Sequence, residues 1–305
     1  MTVMAAPTNH AYVSNERSNS ISVIDLETQS RIKDIEVGAR PRGMALSADR
    51  QHLFIALGDE QRIAVLNLAN DDIVRKIELP GDPETFAVAP NGNLYIPHQQ
   101  AAKVNVIEPS SGQIIAEIPV GIEPEGVSVS PDGSLVLVTS ESNNSVDVIL
   151  TATHQVIKQL TVGARPRGVT FNHQGNLAYV TSEVGNEVAV INVRTLTIEQ
   201  RSHVAIPHAK PMGVVLSPDD STLYVTTGRA NALAVMDANT LELKASVPVG
   251  GRVWGVAISN DGKQVFTADG ISGTVTVVDT TEMKTTQTIE VGRYPWGIVI
   301  DDVSE

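Results

Sequence analysis

The sequence predicts an all-β protein, a seven-bladed β-propeller in which each blade has four strands. Three observations support this prediction. A short phrase recurs along the whole chain, each repeat unit shows the apolar–polar alternation of strands, and the chain ends on the first strand of a further unit. A period of about 42 residues is typical of one propeller blade.

The recurring phrase reads Val-Gly, then x-Pro-x-Gly, then an apolar run and Pro-Asp-Gly. The glycine that ends x-Pro-x-Gly marks each unit, at Gly43, Thr85, Gly126, Gly168, Gly213, Gly255 and Gly297. These positions are separated by 42, 41, 42, 45, 42 and 42 residues. Because the spacing is so regular, we expect every unit to fold as the same four-stranded element.

The four strands follow one another inside each unit. The x-Pro-x-Gly phrase opens the first strand, and Tyr12-Val13-Ser14-Asn15 represents the second. Residues 21–25 represent the third strand, and the fourth ends at a Val-Gly pair such as Val37-Gly38. Turn residues such as Pro131-Asp132-Gly133 separate the first strand from the second, as expected for a hairpin.

The two ends of the chain predict how the ring closes. The chain begins with a second strand, Ala11 to Asn15, and finishes with a lone first strand at residues 297–300. Pairing of these two segments would complete the seventh blade and leave no long free sheet edge. We therefore predict a single domain over residues 8–302, preceded by an N-terminal extension over residues 1–7.

The amino-acid composition and net charge exclude or disfavour several kinds of site and partner. The 305 residues include no cysteine, which excludes disulfides and thiolate metal sites. The net charge of −13 disfavours binding to duplex nucleic acid. No run of about 18 apolar residues is present to span a membrane. We expect a monomer, because a closed propeller needs no partner to complete its core.

The second-strand phrase Tyr-Val-x-Asn/Ser resembles the YVTN family of bacterial propellers, over about residues 8 to 302. Further phrases are similar to a subgroup, the PQQ-dependent catabolism-associated β-propeller proteins: Arg40-Pro41-Arg42-Gly43, Glu123-Pro124-Glu125-Gly126 and Gly292-Arg293-Tyr294-Pro295-Trp296-Gly297. The resemblance implies export to the periplasm and a link to quinoprotein alcohol oxidation. Two departures, Thr85 for glycine and Pro97-His98 for Thr-Asn, make the third blade the least typical.

One face of the propeller concentrates the unusual side chains. The loops from fourth to first strands and from second to third strands share this face, named here the funnel face. The x-Pro-x-Gly joins carry an excess of bases over acids, although the chain as a whole is acidic. We predict that these residues bind an anionic small molecule or a periplasmic protein partner. The predicted binding residues are Arg40, Arg42, Glu84, Glu125, Arg165, Arg167, His208, Arg252, Trp254, Arg293, Tyr294 and Trp296.

Other interpretations stay open at this stage. The arginines could pair with acids of neighbouring blades, and arginines flanking Glu84 and Glu125 would keep both carboxylates ionised. The acidic residues of the second-to-third loops, among them Glu16, Glu141 and Glu183, are expected to be solvated loop tips.

Enzymatic and nucleic-acid functions are the alternatives to a binding protein. A metal-assisted lyase or lactonase could use His98 and His208 with the carboxylate pair, and single-stranded nucleic acid is a third alternative. The sequence indicates no cofactor and no complete set of metal ligands.

Overall fold

A computed structural model describes residues 4–302. The first fourteen strands in chain order are β1 (His10–Asn15), β2 (Ser20–Asp25), β3 (Ser30–Glu36), β4 (Pro41–Leu46), β5 (His52–Leu57), β6 (Arg62–Asn67), β7 (Ile73–Glu78), β8 (Ala87–Val88), β9 (Leu94–His98), β10 (Lys103–Glu108), β11 (Gln113–Pro119), β12 (Pro124–Val129), β13 (Leu135–Ser140) and β14 (Ser145–Leu150). The remaining strands are β15 (Gln155–Thr161), β16 (Pro166–Phe171), β17 (Leu177–Ser182), β18 (Glu187–Asn192), β19 (Thr197–His203), β20 (Pro211–Leu216), β21 (Thr222–Thr227), β22 (Ala232–Asp237), β23 (Leu243–Pro248), β24 (Val253–Ile258), β25 (Gln264–Asp269), β26 (Thr274–Asp279), β27 (Lys284–Glu290) and β28 (Pro295–Asp301). A 3₁₀ helix at Gln99–Ala101 follows β9.

The strands form seven antiparallel sheets of four strands each, which confirms the predicted propeller. Blade 1 has the order β28-β1-β2-β3, so the last strand of the chain closes the ring beside the first. Blades 2 to 7 take the remaining strands four at a time in chain order. Within the part of the chain described here, no helix has the length and hydrophobicity that crossing a membrane requires.

The hydrophobic core lies between neighbouring blades, because both faces of the second and third strands carry apolar side chains. The second-strand tyrosines Tyr12, Tyr95 and Tyr179 are almost completely buried. Tyr179 packs against Val214 and Leu223 of the next blade and donates a hydrogen bond from its hydroxyl to the Ala238 carbonyl, at 3.1 Å. Each blade therefore stabilises the next.

A repeated hydroxyl contact explains the Thr or Ser of the second-strand phrase. In blade 4, the Gly126 amide donates to Thr139 Oγ1 at 2.8 Å. That hydroxyl donates in turn to the Arg167 carbonyl of blade 5 at 3.0 Å. A Cβ at Gly126 would lie 1.9 Å from this carbonyl oxygen, so glycine is needed for the two inner strands to approach. Ser14, Thr181 and Thr226 make the same contact in their blades.

The third blade makes this contact in a different way. Its inner strand β8 has only two residues, and Pro97 lies where blades 1, 4, 5 and 6 have the hydroxyl. Thr85, in the glycine position, donates its hydroxyl to the Glu125 carbonyl instead. The two departures that the sequence shows in this blade therefore compensate for one another.

Part of the predicted N-terminal extension is described. The Ala5 amide donates to the Asp49 carbonyl at 2.9 Å, which places the segment against the β4–β5 turn. Residues 1–3 of the predicted extension lie outside the described residues.

Candidate functional site

The residue before each inner-strand glycine points into the mouth of the central channel. Closure of the propeller brings these residues, one from each blade, into one ring. They are Arg42, Glu84 (which precedes Thr85 in the glycine position), Glu125, Arg167, Met212, Trp254 and Trp296. The hydroxyl contacts of the second strands hold the carbonyls of several ring residues. Six ring residues therefore lie on inner strands, Glu84 lies in the segment before β8, and the geometry of the ring follows from the repeat.

Two adjoining cavities open at this ring. The inner one has a volume of about 270 Å³ and apolar walls that include Met44, Phe86 and Ile298. The outer one has a volume of about 220 Å³ and a charged rim. Both are lined by Glu125, Arg167, Trp254 and Trp296. A small organic molecule could place an apolar part in the channel and a polar part at the rim.

The arginines of the first Arg-Pro-Arg phrase are paired with carboxylates. Arg42 lies 3.1 Å from Glu16 through Nε and also pairs with Glu84. Arg40 Nη2 lies 3.2 Å from Glu84. Arg42 and Glu84 are both mostly buried, so neither is a free charge for a ligand.

The second Arg-Pro-Arg phrase is paired in the same way. Arg165 Nε lies 2.7 Å from Glu141, and Arg167 Nε lies 3.1 Å from Glu183. Arg167 also contacts Glu141, and its Nη1 lies 3.3 Å from Glu125. Arg167 is 12% exposed and Glu141 only 8%, which makes this a partly buried network.

These networks correct two sequence-based expectations. Glu16, Glu141 and Glu183 are not solvated loop tips, because their side chains are at most 20% exposed and lie against arginines. The basic excess predicted for the face is therefore largely cancelled by acids from the second-to-third loops. The interpretation in which arginines pair with acids of neighbouring blades is the one that the structure supports.

Glu125 departs from the expectation that flanking arginines keep it ionised. Burial, the largest cause, and the charges of Glu84 and Glu141 together raise its pKa to about 8 against the opposing effect of Arg167. Gln99 donates from Nε2 to Glu125 Oε2. Glu125 is therefore a largely protonated carboxyl at neutral pH, held at the channel mouth between an amide and a guanidinium.

Three aromatic side chains of the funnel face make cation–π contacts with arginines. The Arg252 guanidinium lies 4.8 Å from the Trp254 ring centre, and Arg17 lies 3.8 Å from that of Tyr294. Arg42 lies 5.7 Å from the Trp296 ring centre. Trp254 and Trp296 line both cavities, whereas Tyr294, Arg252 and Arg293 lie outside them on the same face.

The two histidines considered for a metal site do not join the carboxylates. His98 packs against Gly81, where an added Cβ would lie 1.4 Å from its Nε2, and burial lowers the pKa of His98. His208 is exposed in the β19–β20 loop, and neither imidazole lines the cavities. Over residues 4–302, no three His, Asp or Glu side chains are grouped so that they could hold a metal ion.

Sequence reasoning missed the partners of the ring, although a signal for them exists. Glu141 precedes Arg165 by 24 residues, and Glu16 precedes Arg40 by the same interval. Gln99 stands at that interval before Glu123-Pro124-Glu125. An acid thus precedes each Arg-Pro-Arg phrase and an amide precedes Glu-Pro-Glu, as complementary contacts between adjacent loops require.

Comparison with known proteins agrees with the fold. A family described as "Lactonase, 7-bladed beta-propeller" matches residues 127–293. No curated protein matches the chain. Among solved structures, a functionally unknown protein from Desulfotomaculum acetoxidans has a TM-score of 0.84 at 19% identity, over 96% of this chain and 99% of that one.

Two further similar structures have names that state a function. A "putative 6-phosphogluconolactonase" from Bacteroides fragilis has a TM-score of 0.82 at 17% identity, over 97% of this chain and 99% of that one. Kuenenia stuttgartiensis hydrazine synthase has a TM-score of 0.77 at 20% identity, over 84% of this chain and 88% of that one. At such identities the likeness shows the fold alone.

Proposed function

The chain belongs to the family of seven-bladed β-propeller lactonases, and from that premise we propose that its channel mouth binds a small organic acid or a lactone. The observation that supports this proposal most directly is the pair of adjoining cavities, apolar within and polar at the rim, that share Glu125, Arg167 and two tryptophans. Binding without turnover is the first form of the proposal.

The contacts available at the rim define the ligand chemistry. A protonated Glu125 can donate a hydrogen bond to a carbonyl or carboxylate oxygen, which an ionised carboxylate could not do. Trp254 and Trp296 line both cavities and offer apolar surface against which a ring-shaped ligand can pack. The paired arginines stabilise the site more than they attract charge, so the ligand carries few negative charges.

A thermal-shift screen of lactones, sugar acids, aromatic acids and pyrroloquinoline quinone tests this proposal. A ligand at 100 times its Kd adds about 2.7 kcal/mol of stability. The shift should disappear in Trp296→Ala and persist in Ile271→Ala, whose exposed side chain lies on the same face outside both cavities. A panel without a hit, or a hit indifferent to Trp296→Ala, would contradict the proposal.

Hydrolysis of a bound lactone is the second candidate, and the raised pKa of Glu125 favours it. Water would add to the ring carbonyl, the ring C–O bond would break, and the ring oxygen would take a proton from Glu125. Arg167 would stabilise the anionic oxygen that develops on the carbonyl. The proton lost by the attacking water would pass to the Glu125 carboxylate or to solvent.

Acid release from glucono-δ-lactone, followed with a pH indicator, distinguishes lactone hydrolysis from binding without turnover. If the second candidate is correct, Glu125→Gln should lower kcat by about 10²–10⁴-fold. Glu290→Gln, an exposed carboxylate at the end of β27 that lines neither cavity, is the matched control. Ligand binding without hydrolysis above background would support binding without turnover and contradict the second candidate.

We also propose a setting for this activity, based on the resemblance to the YVTN and PQQ-associated propellers. In this setting the protein acts in the periplasm, as an accessory to quinoprotein oxidation. Fractionation of native cells and a pull-down from the periplasm test this. Recovery in the cytoplasmic fraction alone would rule the setting out.

A further inference from the structure

We propose that an arc of unpaired cations on the funnel face docks an acidic segment of a partner protein. The arc lies over blades 6, 7 and 1 and consists of Arg17, Lys210, Arg229, Arg252 and Arg293. None of the five has a carboxylate oxygen within 4 Å among residues 4–302. This arc is distinct from the Arg-Pro-Arg networks, where every arginine is ion-paired.

Loop-to-loop hydrogen bonds make one half of the arc continuous. The Arg229 amide donates to the Ala209 carbonyl, next to Lys210. The Arg252 amide donates to Asn231 Oδ1 at 3.0 Å, which joins its loop to the loop of Arg229. These three cations therefore occupy adjoining loops in fixed relative positions.

The other half of the arc is tied together in the same manner. The Arg17 amide donates to the Arg293 carbonyl at 3.1 Å, and Arg293 Nη2 donates to the Arg17 carbonyl at 2.9 Å. The loop at residues 270–273 links this half to the first, because Gly270 donates to the Arg252 carbonyl and Val291 donates to Gly273. The cations thus form one curved row rather than scattered charges.

The guanidinium geometry favours carboxylates over nucleic-acid bases. Arg17 lies on the face of Tyr294, and Arg252 lies on the face of Trp254. A covered ring face is not free for the base stacking on which single-strand binding depends. The edges of a stacked guanidinium remain open, and they match a carboxylate in bidentate geometry.

Charge complementarity argues for a short acidic segment as the occupant. The whole chain carries −13, so this arc is a local exception to an acidic molecule. Such a patch steers a complementary segment and sets its orientation on the face. The proposal does not rest on the small-molecule site, because Arg17, Arg229 and Arg293 line neither cavity.

The test measures binding of a fluorescent short peptide of alternating Asp and Glu. Its uncharged Asn–Gln counterpart and a short oligothymidylate serve as comparison probes. The arc variant is Arg17→Ser/Arg229→Ser/Arg293→Ser. The control variant, Lys158→Ser/Arg194→Ser/Lys284→Ser, removes the same charge from other exposed positions. Thermal unfolding of both variants confirms that they fold.

We expect salt-sensitive binding of the acidic peptide that weakens about tenfold in the arc variant and stays unchanged in the control variant. A Trp296→Ala protein should bind the peptide as the wild type does, which separates this proposal from the small-molecule site. Equal losses in the arc and control variants, or no peptide binding at low salt, would overturn the proposal. Tighter binding of the oligothymidylate than of the peptide would overturn it in favour of nucleic acid.

Discussion

In blades 1, 4, 5 and 6 a single second-strand hydroxyl connects neighbouring inner strands, and its removal has a predictable cost. Thr181 accepts from the Gly168 amide and donates to the Met212 carbonyl, both within buried strands. Thr181→Val keeps the shape but leaves both backbone groups without a partner, so we expect a loss of about 1–3 kcal/mol in the free energy of unfolding. Urea unfolding measures it.

The control for this prediction is Thr288→Val, on the exposed outer strand β27. Because this hydroxyl faces solvent, its loss should change the stability by less than about 0.5 kcal/mol. Equal effects of the two substitutions would show that the inter-blade hydroxyl does not stabilise the ring.

The raised pKa of Glu125 predicts how the free energy of unfolding changes with pH. Its pKa is raised from 4.5 to about 8 in the folded protein, so the folded state binds more protons than the unfolded state between those values. This group therefore makes the wild type less stable as the pH rises from about 5 to 8. Glu125→Gln removes the effect, and the variant should gain stability relative to the wild type over that window.

Urea unfolding at several pH values checks the sign. The control is Glu123→Gln, two residues away and exposed. A difference between Glu125→Gln and the wild type that does not change with pH would show that Glu125 titrates normally.

The positions of the ring residues were easier to predict from the sequence than the side chains that contact them. The repeat identifies Glu125, Arg167, Trp254 and Trp296 as ring residues, because a period of one blade places equivalent positions on one circle. The 24-residue interval marks Glu16 and Gln99 as candidate partners, but it does not show that their side chains reach the ring. Those contacts depend on how far one loop leans toward the next, and this distance is set by blade packing rather than by local pattern.

At the scale of an element, the third blade offers a test of compensation. Thr85→Gly removes the hydroxyl that contacts the Glu125 carbonyl, and we expect a loss of about 1–2 kcal/mol. Adding Pro97→Thr restores the arrangement of blades 1, 4, 5 and 6, with glycine on the first strand and the hydroxyl on the second. The double variant should recover much of that loss.

A double-mutant cycle from urea unfolding measures this coupling. Additive effects of the two substitutions would mean that Thr85 and Pro97 do not compensate for one another.

The strands with a recurring apolar phrase were the easiest to predict. The second and third strands follow the tyrosine and valine patterns closely, because both of their faces are buried between blades. The inner strand of blade 3 was not predicted to be short. Its sequence Thr85-Phe86-Ala87-Val88 resembles its counterparts, yet only Ala87–Val88 remain in the sheet, paired with Tyr95 and Leu94.

For the whole molecule, the ends of the sequence predict the closure of the ring but not the contact that secures it. The closing strand ends at Asp301, which is fully buried. It accepts hydrogen bonds from the Thr8 amide at 2.7 Å and from Arg50 Nε at 2.8 Å. Arg50 belongs to the β4–β5 turn, so one carboxylate ties together the N-terminal segment, the C-terminal strand and blade 2.

Removing this carboxylate should weaken the ring as a unit. Asp301→Ala leaves the mostly buried Arg50 guanidinium unpaired, and we expect a loss of about 3–5 kcal/mol in urea unfolding followed by tryptophan fluorescence. The double variant Arg50→Met/Asp301→Ala should lose less than the two single variants together, since it leaves no unpaired charge. A small loss in Asp301→Ala, or strict additivity, would mean that strand pairing between β28 and β1 closes the ring without this ion pair.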